Sequence, residues 1–394
     1  MKILLLSKHF WPENFRINII ANKLSDKHQV TVLAEKPSYS KVKKNYNKIN
    51  KKIKIKRFWT YPRSKNFMSI FLNYLSFIFI GSVKIFELNK KKKFDLIFIY
   101  ATSPIFQAIP AIIYGKIKKV PTFLWVQDLW PEVLMDLKIF NYKILLNLIK
   151  KITKLIYENT NFIFAQSLSF KKSVEKLSKK KADILYNPEI GNNLKFNTNK
   201  KNKITLIFAG NLGKAQNLPI IIKVANELKN SNLLIKIYGS GSERYNLQKL
   251  INHYKIHNIV TIFDPISIIR LKQEMQKADG LLITLNKGAA LSKTLPAKLQ
   301  TYLSQGKPII CSADGELHNF IKKNKVGFAS KSNDISGMID SIKKLKNLTK
   351  YKKKDIFIRS YKIFKLHFDL VNWIERLNKK LYIGVKIYTK TLNQ

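Results

Sequence analysis

The chain of 394 residues has one cysteine, Cys311, and only 24 acidic residues against 73 lysines and arginines. A single cysteine excludes an intrachain disulfide framework and any CxxC metal site, which fits a reducing cytoplasm. Cys311 lies in the apolar run KPIICSA, the setting of a buried strand residue rather than of a nucleophile. No DxD triplet and no metal-ligand spacing occurs, so metal independence is expected. Disorder is excluded as well. With 45% hydrophobic and 12% aromatic residues, the chain can build two cores of ordinary size.

What is abundant is lysine, and the formal charge is +49. Lysine crowds segments such as KKNYNKINKKIKIKR, Lys43 to Arg57, and NTNKKNK, Asn197 to Lys203. Two readings stand: a general habit of composition, or a positive field that attracts anionic lipid headgroups or phosphorylated substrates. The lysine runs lack regular aromatic interleaving, so no nucleic-acid partner is expected. The N-terminal run ILLL belongs to a first strand and is too short for a signal peptide. One segment, FMSIFLNYLSFIFIGSVKIF from Phe67 to Phe86, just reaches the length of a membrane span. A span there would cut an α/β domain between its strands. The preferred reading is a long apolar helix packed on the sheet with one edge dipping into the membrane surface. A plain core helix is the alternative.

Two βα units stand far apart in the chain, the second punctuated by glycines. KILLLSKHFWPENFRINIIANKLSDKHQVTVLAE opens the first, and ITLIFAGNLGKAQNLPIIIKVANELKNSNLLIKIYGSGS opens the second near Lys203. Continuous apolar runs such as Leu96 to Tyr100 and Thr122 to Val126 read as buried parallel strands. The expected organisation is a Rossmann-like domain over 1–190, a linker over 191–203, a second Rossmann-like domain over 204–365 and a helical return over 366–394. Two such domains facing each other would form an interdomain cleft, because parallel sheets bind ligands outside the carboxyl ends of their strands. The last residues, TKTLNQ, are expected to fray.

Candidate chemistry collects at those strand ends. The loop GNLGKAQN, Gly210 to Asn217, follows a strand and precedes a helix. Its glycines let the backbone approach a phosphate, free amides could hold it, and Lys214 could add charge. Gly239 and Gly241 of YGSGS repeat that context, or merely form a tight turn. In KTLPAKLQTYLSQGKPII, Pro296 starts a helix and Gly306 ends it, which puts Lys293, Thr294 and Lys298 near its N-terminus. Dipole and lysines together suit a diphosphate. In the first domain, HFWPENFR offers Glu13 and Arg16, and QDLWPE offers Gln127, Asp128, Trp130 and Glu132. Trp11 and Trp130 could stack on a sugar, line an entrance or belong to the core.

Taken together, KILLLSKHFWPE, VQDLWPE, FAGNLGKAQNL, ADGLLITL and LPAKLQTYLSQGKPII resemble the GT-B glycosyltransferases of the large retaining family four. Within it the chain is most similar to bacterial surface-polysaccharide enzymes of the N-acetyl-fucosamine-transferase kind. The resemblance implies a GT-B fold whose N-terminal domain takes the acceptor and whose C-terminal domain takes the nucleotide sugar. It implies that Gly210, Asn211, Gly213 and Lys214 lie near the diphosphate and that Gly239 and Gly241 flank the nucleotide. Residues from Lys293 to Thr301, including Thr294 and Lys298, would contact ribose and sugar. The chain also departs from the family pattern. The paired glutamates spaced E-x7-E fall on Lys293 and Thr301, the usual His-Asp reads Gln127-Asp128, and the early Gly-Gly reads Asn14-Phe15. Asn211 and Gln216 stand where broader family members carry an arginine and a lysine, and Lys214, Lys293 and Lys298 are candidates to replace those missing cations.

The resulting expectation is a metal-independent hexosyltransferase that needs no cofactor beyond its UDP-sugar donor. It would transfer an N-acetylated or deoxy-amino hexose, with retention, to a polyprenyl-diphosphate-linked saccharide in O-antigen or capsule synthesis. It would work at the inner face of the plasma membrane. Asp128 is the first candidate for positioning hydroxyls, Glu13 the second, and Lys293 the candidate for the leaving phosphate. Two alternatives remain open: an enzyme like UDP-N-acetylglucosamine 2-epimerase, and a non-catalytic basic protein that binds membrane or nucleic acid.

Overall fold

A computed structural model describes residues 1–37, 48–64, 66–89, 93–136, 143–191, 194, 196–197 and 203–394. Residues 43–47 of the lysine-rich run and most of the expected linker therefore lie outside the described residues. The chain divides into two compact units, Met1–Tyr186 with Trp373–Gln394, and Asn187–Asn372.

In the first unit, strands β1 (Lys2–Ser7), β2 (Gln29–Glu35), β3 (Lys54–Phe58), β4 (Leu96–Ala101), β5 (Thr122–Val126), β6 (Phe162–Ala165) and β7 (Asp183–Ile184) form one sheet. Their order is β3-β2-β1-β4-β5-β6-β7, and every pairing is parallel. The order reverses between β1 and β4, where Ser7 pairs with Tyr100. All six residues of β4 are buried, because helices cover both faces of the sheet and leave no solvated side to alternate with. One face packs against helices Phe67–Asn89, Ile109–Lys118, Lys143–Glu158 and Leu168–Ser178 through Phe77, Ile85, Tyr114, Ile156 and Phe170. The other takes helix Arg16–Leu24 and the C-terminal helix Leu370–Leu392 through Ile17, Ile20, Trp373, Leu377 and Leu381.

The apolar segment at 67–86 is thus a helix on the sheet, and it runs on to Asn89. Its inner side is tied to the fold by polarity as well as packing: buried Asn73 accepts a hydrogen bond from Lys8 Nζ at 2.6 Å. The expected fraying of TKTLNQ is not what occurs. The last helix continues to Leu392, with Thr389 Oγ1 donating to Val385 O at 2.9 Å and Thr391 Oγ1 donating to Ile387 O at 3.1 Å.

The second unit repeats the plan. Strands β8 (Ile204–Ala209), β9 (Leu233–Tyr238), β10 (Val260–Phe263), β11 (Gly280–Thr284), β12 (Ile309–Ser312) and β13 (Gly327–Ser330) are ordered β10-β9-β8-β11-β12-β13. Again all are parallel. The reversal falls between β8 and β11, and the loops after these strands carry the candidate residues. Helices Pro219–Glu227 and Ile335–Lys346 close one face through Ile221, Ile222, Val224, Met338 and Leu345. Cys311 is buried inside β12, and that burial pushes its thiol pKa up, as befits a packed strand residue.

Candidate functional site

In the second unit the loop after β8 is held against three neighbours. Leu212 N donates to Ser240 O at 2.9 Å and Glu243 N to Leu212 O at 2.8 Å. Here the glycines of YGSGS serve close packing: a Cβ on Gly239 would sit 1.9 Å from Gly210 O, and one on Gly241 2.5 Å from Leu212 O. Asn286 N, just after β11, donates to Ala215 O at 2.9 Å, and Thr284 Oγ1 donates to Gln216 O. Helix Ala297–Gln305 completes the arrangement. Tyr302 is buried within it and its hydroxyl accepts from Ala209 N at 3.0 Å. The amides of Gly210 and Leu212 are engaged by Tyr238 O and Ser240 O, so these two are not free to hold a phosphate.

Lys298 is the charged centre of this loop cluster. It stands in the first turn of helix Ala297–Gln305, donates to Gln216 Oε1, and holds Nζ 4.7 Å from the centre of the Phe208 ring. Its Cε lies 2.7 Å from where a Cβ on Gly210 would be. Burial pushes its pKa down to about 8, with no carboxylate opposing the shift. A partly desolvated ammonium with only neutral partners is short of an anion. Gly210, Asn211, Gly213, Gly239, Gly241 and Lys298 are therefore brought together, with Asn211 Oδ1 2.7 Å from where a Gly241 Cβ would lie.

The remaining candidates of this unit sit around that group. Lys214 forms the start of a short 3-10 turn, and Lys293 ends another, Leu291–Lys293. Thr294 Oγ1 is spent on Ala290 O at 2.8 Å. Thr301 lies one turn beyond Lys298, and its hydroxyl donates to Glu189 Oε2 at 2.8 Å. Glu189 thus brings a carboxylate to a helix whose own sequence has none. Nothing local in the sequence marks it, because the partners are 112 positions apart.

In the first unit, Asp128 Oδ2 accepts from both Ser103 N and Ser103 Oγ at 2.8 Å. Burial raises its pKa, and the two Ser103 bonds oppose that rise. Trp130 Nε1 donates to the same Ser103 Oγ at 3.2 Å, and its ring packs on Phe106 at 5.3 Å. Trp130 is 3% exposed, so of its possible roles only the core one is met. Glu13 is buried, with Oε2 3.2 Å from His9 Nδ1, and His9 stacks on Phe15 at 5.0 Å. Gln127 is also buried at the end of β5, and its Nε2 has no hydrogen-bond partner.

A second charged group here was missed from the sequence. Lys8 is 1% exposed and donates to Glu35 Oε2 at 2.7 Å. Arg57 Nη1 donates to Glu35 O at 2.8 Å, and its Nη2 reaches Trp11 O. Burial lowers the Lys8 pKa, and Glu35 counteracts it. This network braces the ends of β1, β2 and β3 around Glu13. Among the described residues, no group of three or more His, Cys, Asp or Glu could hold a metal ion. A cavity of about 420 Å³ among Lys322, Lys325, Lys344, Lys352 and Arg359 lies at the amino end of β13 instead. Lysines in the last turns of helices Gly315–Asn324 and Ile335–Lys346 are explained there by the negative helix ends.

Residues 189–360 match the family model described as Glycosyl transferases group 1. Over 113 residues the chain is 28% identical to the Escherichia coli (strain K12) protein WcaI, named as a colanic acid biosynthesis glycosyl transferase. That stretch is 29% of this chain, and the match spans only 27% of that relative's length. Among solved structures, Anabaena HepE in complex with UDP is similar at a TM-score of 0.71 and 14% identity, covering 97% of this chain and 100% of that one. A glycosyltransferase from Rickettsia africae gives 0.69 at 14% identity, covering 98% of each chain. Sucrose-phosphate synthase from Thermosynechococcus elongatus gives 0.73 at 13%, covering 98% and 99%. The fold is GT-B. The two parallel sheets with their reversal points between β1 and β4 and between β8 and β11 are its two Rossmann-like domains.

Proposed function

We propose that the chain is a retaining glycosyltransferase. Its donor would be a UDP-sugar carrying an N-acetylated or deoxy-amino hexose, and its acceptor a polyprenyl-diphosphate-linked saccharide of a bacterial O-antigen or capsule. One observation carries this reading: Lys298, a cation with a pKa lowered to about 8 and no carboxylate partner, stands against Gly210 beside the β8–β11 reversal. A nucleoside diphosphate leaving a sugar gathers negative charge, and an ammonium held out of water stabilises that charge more than a solvated one would. The group 1 family match spans the same residues. HepE, similar in fold, is a protein solved with UDP and with UDP-glucose. The WcaI name favours surface polysaccharide as the setting.

In this reading Lys298, with Lys293 shortly before it in the chain and Lys214 on the loop after β8, receives the β-phosphate. The sugar C1–O bond to the phosphate breaks while the acceptor hydroxyl oxygen bonds C1 from the same face. The hydroxyl proton passes to the departing phosphate oxygen, so no strong enzymic base is needed. Asp128 would orient a hydroxyl from its place at the end of β5. Glu13, engaged by His9, would act through the loop it braces. The acceptor is anchored in a bilayer, so the protein would work as a peripheral protein on the inner face of the plasma membrane. Exposed Met68, Phe71, Phe79 and Val83 on helix Phe67–Asn89 support that contact.

Calorimetric titration with a panel of UDP-sugars tests the reading. One donor should bind saturably, and Lys298→Ala should weaken it at least tenfold. Unchanged affinity in Lys298→Ala and in Lys293→Ala would remove the diphosphate site from this loop cluster. Incubation of UDP-N-acetylglucosamine without acceptor should leave it intact, and appearance of its 2-epimer would favour the epimerase reading instead.

A further inference from the structure

We infer that the first unit carries an interfacial docking face for anionic phospholipid, assembled from helices Phe67–Asn89, Ile109–Lys118 and Lys143–Glu158. The inference deepens the reading of a lipid-borne acceptor and rests on it for its purpose, not for its geometry.

The three helices bury their inner sides in one core cluster, so their outer sides lie over the same face of the sheet. Those outer sides are apolar to an extent that a solvated surface does not explain. Helix Lys143–Glu158 exposes Ile144, Leu148 and Leu155, with Ile144 87% accessible. Helix Ile109–Lys118 exposes Ile113 and Ile117, and helix Phe67–Asn89 exposes Met68, Phe71, Phe79 and Val83. The spacing of these last four, with half-buried Leu75 between them, draws a single stripe along the helix. Lys116 Nζ donates to Asn159 Oδ1, which ties the end of helix Ile109–Lys118 to the residue that follows helix Lys143–Glu158. Single exposed apolar residues need no explanation, whereas nine on three helices over one face of the sheet do.

Charge selects the occupant. Exposed Lys143, Lys150, Lys151 and Lys154 are interleaved with Ile144, Leu148 and Leu155. Lys116, Lys118 and Lys119 surround Ile117 in the same way. The acids on these helices are few, and Glu87 and Glu158 lie 2.7 and 3.6 Å from Lys84 and Lys154. An apolar stripe framed by lysines matches a bilayer interface with acidic headgroups, where side chains enter the acyl boundary and ammonium groups meet phosphate. A protein partner with an acidic apolar surface is the other conceivable occupant, but the spread over three helices favours a flat surface.

The same geometry decides against a span. Helix Met68–Leu88 is long and apolar enough to cross a membrane. Its inner side, however, holds Asn73 on Lys8 at 2.6 Å and packs Gly81 so closely that a Cβ there would lie 3.3 Å from Phe58 and 3.4 Å from Pro110. Insertion would strand the buried Lys8–Glu35 pair and strip one face of the sheet. The helix lies on the membrane rather than through it.

Co-sedimentation of the full chain with vesicles of phosphatidylcholine alone, and of phosphatidylcholine mixed with phosphatidylglycerol, tests this. The protein should pellet with the anionic vesicles, come off in carbonate, and bind neutral vesicles weakly. Lys150→Glu with Lys151→Glu should weaken anionic binding by about fivefold or more per position, and added salt should do the same. Ile144→Ser with Leu148→Ser should weaken binding to a similar degree, and this loss should persist at high salt. All four positions are exposed, so unchanged melting temperatures are expected and separate docking from folding. Equal binding to neutral vesicles, resistance to carbonate, or no change in either variant pair overturns the inference. Donor titration of the same variants keeps the two readings apart: if no UDP-sugar binds, the function fails while the docking result stands.

Discussion

A Cβ on Gly210 would lie 2.7 Å from Cε of Lys298, and Gly210 has φ +141. Gly210→Ala therefore meets two penalties. The backbone enters a region that side chains rarely adopt, at about 1–3 kcal/mol, and the new methyl displaces the flexible end of Lys298. The second penalty acts on the ammonium directly. Gly210→Ala should lower the melting temperature by several degrees and weaken donor binding at least as much as Lys298→Ala does. Thermal melts and calorimetry check both. Full donor affinity in a destabilised Gly210→Ala variant would separate Lys298 from the phosphates.

The lowered Lys298 pKa makes the pH dependence specific. Burial pushes its pKa down to about 8 in the folded chain, against an ordinary lysine value of 10.5. Below pH 8 its charge opposes folding, by at most about 3 kcal/mol when 1.36 kcal/mol is taken per unit. That cost fades as pH rises from about 8 toward 10, as the folded state loses the proton first. Lys298→Met should accordingly raise the melting temperature at pH 7 by a few degrees while abolishing donor binding. In the unaltered chain, donor affinity should hold below pH 8 and fall above it. Titrations at pH 8.5 in buffers of different ionisation enthalpy should report proton uptake. A pH-independent affinity up to pH 9.5 would exclude Lys298 as the diphosphate's cation.

The strands were legible for a simple reason: strands covered on both faces give unbroken apolar runs, as Leu96–Ala101 and Gly280–Thr284 do. The loop after β8 and the helix behind Pro296 were equally legible, because glycine and proline fix backbone geometry locally. What stayed hidden depends on distance along the chain. Lys8 reads as an ordinary residue after a strand, and only Asn73, 65 positions away, and Glu35 make it a buried charge. Glu189 looks like part of a polar connection until Thr301 is folded onto it. Trp130 carried three readings because aromatic residues beside a proline serve packing and ligands alike. The lysines on helix Lys143–Glu158 were visible, but their alternation with exposed Ile144 and Leu148 gains meaning only once the buried side is known.

Asp128 tests whether a loop brace also serves catalysis. Its Oδ2 takes the Ser103 amide and hydroxyl at 2.8 Å each, and an asparagine oxygen can accept both. Asp128→Asn should thus keep the fold, with a melting temperature near the unaltered one. Asp128→Ala should lose about 1–3 kcal/mol by orphaning the Ser103 amide. If the carboxylate also orients a substrate hydroxyl, Asp128→Asn should lower kcat strongly with donor affinity unchanged. Full kcat in Asp128→Asn would leave Asp128 a structural residue only.

The buried pair Lys8 and Glu35 makes the sharpest statement about stability in the first unit. Both are nearly inaccessible, at 1% and 2%, and 2.7 Å apart. Removing the Glu35 carboxylate leaves the Lys8 ammonium in a low dielectric facing the neutral Asn73 Oδ1, which costs about 3–5 kcal/mol. Glu35→Ala also takes the acceptor from Thr60 Oγ1 at 3.1 Å, and should be the more damaging of the two single changes. Replacing both, Lys8→Met with Glu35→Leu, removes the unpaired charge and should recover much of the loss. A double-mutant cycle in urea measures the coupling. Coupling of several kcal/mol would mark the pair as a device that fixes the Trp11–Arg16 loop around Glu13. Additive losses would mean that Asn73 and Arg57 hold that loop without it.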